Sequence, residues 1–155
     1  MSIDEFLKNL KGKIVIAGIG NPLRGDDAVG SFIAKSIKDK VDAIVIDCED
    51  TPERYLGKII EHNPNTVVFI DALDMNLEAG SVIFFEGKAL EGMKFSTHTT
   101  SLNLYTNFLN KNLHVPVFIL GIQPESSTLG KPLSKRVLET AEILIKLLRI
   151  HLNAK

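Results

Sequence analysis

Strand-length apolar runs alternate with segments of helical period along this chain, and that alternation limits the fold more than any other feature. The runs are KIVIAGI (13–19), AIVID (43–47), TVVFIDA (66–72), GSVIFFE (80–86) and VPVFILGI (115–122). Stretches such as VVFI lack the polar alternation of a half-solvated strand. They predict strands covered on both faces, as in a parallel sheet. Between the runs, DAVGSFIAKSIKD sets Val29, Phe32, Ile33 and Ile37 on one helical face. PERYLGKIIEHN opens with Pro52, a residue suited to a first helical turn. TSLNLYTNFLNKN (100–112) places Leu102, Tyr105, Phe108 and Leu109 near one face, and a long helix follows over about 133–151. MSIDEFLKNLKGK reads as a short amphipathic helix. The link into the fourth run is too brief for a helical crossover, so that strand is expected to be antiparallel. The fold class expected is α/β: a three-layer α/β/α sandwich around a mostly parallel, twisted five-stranded sheet. The 155 residues make one domain, 1–155.

Composition removes several function classes. The net charge is −1 and no basic run occurs, which argues against nucleic-acid binding. No apolar run approaches the ~20 residues of a membrane helix, so no membrane insertion is expected. The amino-terminal segment carries acids and does not read as a signal peptide. Cys48 is the single cysteine, so no internal disulfide forms and a reducing, cytoplasmic setting is expected.

The stretch GIGNPLRGDDAVG (18–30) follows the first strand. It resembles a phosphate loop and departs from one where it matters. The dinucleotide fingerprint needs G-x-G-x-x-G; Gly18 and Gly20 fit, but Leu23 stands at the third glycine. No Lys-Ser or Lys-Thr pair follows. A helix start attracts anions, yet Asp26 and Asp27 put negative charge there. The loop presents a carboxylate, and its ligand is expected to be a cation. Helix capping is the competing reading for either acid taken alone. Two acids exceed one cap, so one can cap while the other points into a crevice.

In open α/β sheets, ligands bind beyond the carboxyl ends of the strands. Asp47 ends the second strand and Asp71 the third. Asp71 competes with Asp74 in DALD for a role in the turn. His98 lies in FSTHTTSLN just before a helix and could equally be a plain loop residue. His62, His114 and His151 read as surface residues. Cys48 reads as a small buried hydrophobe. No G-x-S-x-G is present. Two carboxylates and an imidazole from three strand-end loops form a mixed oxygen and nitrogen metal site with open positions.

These residues carry a resemblance to a family. GIGNPLRGDDAVG, VIDCEDTPE, FIDALDMNLEAGSV, STHTTSLN and ILGIQPE match, in order, motifs of the hydrogenase maturation proteases. The chain is most similar to the branch that matures the hydrogenase of formate hydrogenlyase and related energy-converting enzymes. The resemblance runs from about Lys13 to the last helix. It implies an endopeptidase that removes the carboxyl-terminal extension of a NiFe hydrogenase large-subunit precursor. It selects Asp27 over Asp26, and assigns Asp27, Asp71 and His98 as both metal-binding and catalytic. The metal implied is the nickel already in the substrate, with no organic cofactor, and the enzyme is expected to be a monomer. Asp47 stays a secondary candidate, because CED (48–50) replaces the family's small residues after it. A non-enzymatic nickel-binding chaperone of the same precursor is the alternative. A nucleotide-binding α/β domain is disfavoured by the paired acids.

Overall fold

The computed structural model describes residues 1–93 and 99–153. The five apolar runs form β1 (Ile14–Gly18), β2 (Ile44–Asp47), β3 (Thr66–Ala72), β4 (Val82–Glu86) and β5 (Val117–Ile122). They join in one sheet of order β2-β1-β3-β5-β4. β1 pairs in parallel with β2 and β3, and β3 with β5. β4 runs antiparallel to β5, as its short connection requires.

Five α-helices cover the sheet: α1 (Ile3–Lys8), α2 (Val29–Ile37), α3 (Leu56–Glu61), α4 (Thr99–Leu113) and α5 (Lys135–His151). The strand period of two sorts side chains between the faces. Ile14, Ile16, Val68, Ile70, Phe118 and Leu120 point to α2 and α5, where Ile33, Ile37, Val137 and Leu144 meet them. Val15, Ala17, Val67, Phe69, Val117 and Ile119 point the other way, onto Ile59 of α3 and Leu102 and Leu109 of α4. This is the expected three-layer sandwich. α1 adds Phe6, fully buried, stacked on Phe84 at 4.7 Å between ring centroids. Among the described residues, no helix is long and apolar enough to cross a membrane.

Two local readings change. The segment after Thr51 is not one helix. Pro52–Arg54 forms a 3-10 turn, closed by Tyr55 N–H on the Pro52 carbonyl at 2.9 Å, and α3 starts at Leu56. On α4 the buried stripe is Leu102, Thr106 and Leu109, at helical spacing. Phe108 is 45% exposed, because it sits about 100° around the helix from Leu109. A further 3-10 turn over Gly87–Gly92, anchored by buried Leu90, has no counterpart in the sequence reading.

Candidate functional site

The strand order reverses between β1 and β3. The chain leaves β1 for β2 on one side, then returns across to β3 on the other. The carboxyl ends of β1 and β3 therefore open a crevice at the switch point. Asp27 follows the first of these strands and Asp71 is the last residue but one of the second.

Backbone bonds hold the loop after β1 against its neighbours. Ile19 N–H donates to the Ile70 carbonyl at 2.8 Å, and Gly20 N–H to the Glu49 carbonyl at 2.7 Å. A 3-10 turn over Gly25–Ala28 then leads into α2. The first turn of α2 lies directly on the strand ends. A Cβ at Gly30 would run into the carbonyl oxygens of Ile19 and Ile70, and one at Gly18 into the carbonyl of Gly30. Glycine is needed at 18 and 30 for this close approach, which sets the depth at which Asp27 meets the sheet.

The adjacent acids part company. Asp26 is fully buried. Its Oδ2 accepts hydrogen bonds from Glu125 N–H at 2.8 Å, Ser126 N–H at 3.1 Å and Ser134 Oγ–H at 2.8 Å; its Oδ1 accepts from Ser134 N–H at 2.6 Å. Neither acid makes a side-chain cap on α2, whose N-cap is Ala28. Asp26 instead fastens the segment after β5 to the glycine loop. Asp27 is half-buried, and its Oδ2 accepts from Asn21 N–H at 3.1 Å.

Asp71 pairs with Gly121 across the sheet and is 9% exposed. The strand period points its side chain to the α4 side, where it lines a cavity of about 140 Å³ with Ile19, Asp50, Pro52, Ser101, Leu102 and Tyr105. Burial pushes its carboxyl well above the ordinary carboxylate range, and the charge of Asp27 pushes it further; the Ala72 N–H opposes both. The charge on Asp27 is thus felt at Asp71. Asp74 takes the turn instead, accepting from Asn76 N–H at 3.2 Å and Gln123 Nε2–H at 3.1 Å.

His98 lies outside the described residues, immediately before α4 in sequence. Among the described residues, no three His, Cys, Asp or Glu side chains form a group that could hold a metal ion. Asp47 is committed elsewhere: Oδ1 accepts from Glu49 N–H at 3.1 Å, and Oδ2 lies 3.7 Å from Lys35 Nζ. Cys48 is fully buried, and its thiol is pushed up to about 12 by burial first, then by Asp47 and Glu53. Such a thiol carries almost no thiolate near neutrality and is no nucleophile.

Three cavity residues escaped the sequence reading: Asp50, Ser101 and the hydroxyl end of Tyr105. Tyr105 was assigned to an apolar helix face. Its hydroxyl donates to Glu53 Oε2 at 3.1 Å, tying α4 to the turn after β2. Burial and then Glu53 raise its phenol. An acid exposed in a loop, as Asp50 is, gives no sequence signal of its own.

A sequence profile described as hydrogenase maturation protease matches residues 28–149. The hydrogenase 3 maturation protease of Escherichia coli K12 is 28% identical to this chain, over 83% of each. The crystal structure of a NiFe hydrogenase maturation protease HycI from Thermococcus kodakarensis KOD1 is similar at TM-score 0.87 and 35% identity, covering 97% of this chain and 99% of that one. The solution structure of an endopeptidase HycI from Escherichia coli is similar at TM-score 0.79 and 26% identity, over 89% and 90% of the two chains.

Proposed function

The chain belongs to the hydrogenase maturation protease family, and from that premise we propose that it removes the carboxyl-terminal extension of a NiFe hydrogenase large-subunit precursor, using the nickel in that precursor as its recognition signal. The observation that carries the proposal is the placement of Asp27 and Asp71 together at the switch point, after β1 and near the end of β3. Burial first, and then the charge of Asp27, raises the Asp71 carboxyl. A divalent cation would neutralise such a pair. With His98, the pair offers two oxygens and a ring nitrogen, a donor set that suits nickel.

Asp27 and Asp71 take up the nickel of the substrate and so fix the precursor tail in one register. Holding the reacting groups in place lowers the barrier through orientation alone. A carboxylate of the pair then accepts a proton from the water that attacks the scissile carbonyl, and returns it to the amine as the C–N bond breaks. Precursor lacking nickel gains none of this positioning and is left uncut. The reaction takes place in the cytoplasm, on a monomeric enzyme and without an organic cofactor.

The test incubates the purified protein with nickel-loaded and nickel-free precursor, followed by mass spectrometry. Loss of a carboxyl-terminal peptide only from the loaded form is the expected result. Binding without any mass loss would favour the chaperone reading. Normal cleavage by Asp27→Asn would remove the assigned site.

A further inference from the structure

Two large apolar side chains stand in solvent close to Asp27 in the fold. Leu23 is 68% exposed and Leu129 61%. Their loops are bonded edge to edge. Gly130 N–H donates to the Leu23 carbonyl at 2.7 Å, Gly25 N–H to the Lys131 carbonyl at 3.0 Å, and Asp26 N–H to the Ser126 carbonyl at 2.8 Å. The buried Asp26 carboxylate adds its four bonds to the same pair of loops.

A single exposed leucine is ordinary. These two stand on loops fastened to each other by three backbone hydrogen bonds, one of them from Gly130, next to Leu129, to the Leu23 carbonyl, and so make one raised apolar edge, or ridge. Neither belongs to the buried core clusters. Arg24 and Lys131 are exposed on the same loops, against one exposed acid, Glu125. Among the described residues the one ion pair joins Lys35 to Asp47, so neither Arg24 nor Lys131 has an acidic partner there. The ridge therefore offers apolar contact flanked by positive charge, next to an acidic crevice.

The crevice is small. Its cavity of about 140 Å³ has room for little more than one side chain. A protein-sized substrate needs contacts outside it, and binding energy concentrates where apolar anchors are desolvated. We propose that the Leu23–Leu129 ridge is the docking surface for the precursor, gripping an apolar stretch of its chain that also carries negative charge. This rests on the reading of Asp27 and Asp71 as the peptidase site.

The test compares wild type with Leu23→Ser/Leu129→Ser on full-length, nickel-loaded precursor. The readouts are Kd by surface immobilisation, KM and kcat. The double variant should raise Kd and KM at least about tenfold, a change of about 1.4 kcal/mol. Its kcat should stay within roughly twofold, since uniform binding alone is lost. Its melting temperature should match wild type, and Leu23→Met/Leu129→Met should restore binding. Arg24→Gln/Lys131→Gln should slow association and flatten its salt dependence. An unchanged Kd in the serine variant overturns the ridge, as does a fall in kcat at constant KM. Wild type that fails to bind precursor also overturns it. Wild type that binds without cutting overturns the peptidase reading alone, and the serine variant's Kd still decides the ridge.

Discussion

The carboxylate of Asp26 reaches 108 residues along the chain to Ser134, accepting its N–H at 2.6 Å and its Oγ–H at 2.8 Å. Among the described residues no basic side chain pairs with it; the acceptor is satisfied by neutral donors. The bond ties the glycine loop after β1 to the entry of α5.

Asp26→Ala strands the N–H groups of Glu125, Ser126 and Ser134. Each unsatisfied donor costs about 1–3 kcal/mol when buried, and less where water can enter. The expected loss is about 2–4 kcal/mol, or roughly 2–4 °C of melting temperature for each kcal/mol in a chain of this size. Limited proteolysis should open the 124–134 segment first. A variant as stable and as protease-resistant as wild type would show that the clasp contributes nothing.

Asp71→Asn should stabilise the metal-free protein while abolishing processing. The sign follows from the raised carboxyl. Folded Asp71 keeps its proton at pH values where the unfolded chain, with an ordinary value near 3.8, has lost it. Stability is then full below that ordinary value and falls as pH rises through the carboxylate range. The amide carries no charge and escapes the fall. Thermal melts of both proteins from pH 3.5 to 8 should converge at the acid end and separate above it. A variant less stable than wild type at pH 7 contradicts the raised carboxyl of Asp71.

Gly30→Ala should damage both stability and processing with Asp27 and Asp71 untouched. The new methyl group meets the Ile19 and Ile70 carbonyls, and α2 must lift off the strand ends. Overpacking of this kind costs about 1–3 kcal/mol. Gly57→Ala is the control. A Cβ there meets nothing within 4 Å, so on α3 it should be neutral or stabilise by about 0.5–1 kcal/mol. Equal melting temperatures for the two variants would refute the close approach.

Cys48 should resist alkylation in the native protein. Iodoacetamide at pH 8 should label it only after denaturation. Its thiol, ordinarily near 9.0, is pushed up to about 12. Between those values the folded state holds a proton that the unfolded state releases. Stability should fall there with a slope approaching about 1.4 kcal/mol per pH unit. Cys48→Ala should flatten that alkaline limb. Rapid labelling of the native thiol would contradict its burial.

The strands were legible because buried parallel strands carry unbroken β-branched and aromatic runs. TVVFIDA spans the same residues as β3. Even the antiparallel β4 followed from a connection too short to cross over. The paired acids drew attention to the loop after β1 from sequence, although neither of them caps α2. What sequence could not tell was the division of labour between them. The partners of Asp26 lie beyond β5, and a contact across 99 to 108 residues leaves no local pattern. Phe108 was misplaced because an apolar residue near the stripe looks like one on it. Asp50 and Tyr105 joined the cavity only through the packing of α4 against the turn after β2. The proposed third ligand, His98, lies outside the described residues.

The clasp on Asp26 has a temporal meaning as well. A protein is made from its amino end, and Asp26 emerges long before Glu125, Ser126 and Ser134. Until the ribosome has released that far segment, the ridge is missing its second half and the glycine loop its fastening. A nascent chain that stops short of Ser134 therefore leaves the Asp26 carboxylate without its full set of donors, and the glycine loop takes its final shape only once that segment has emerged.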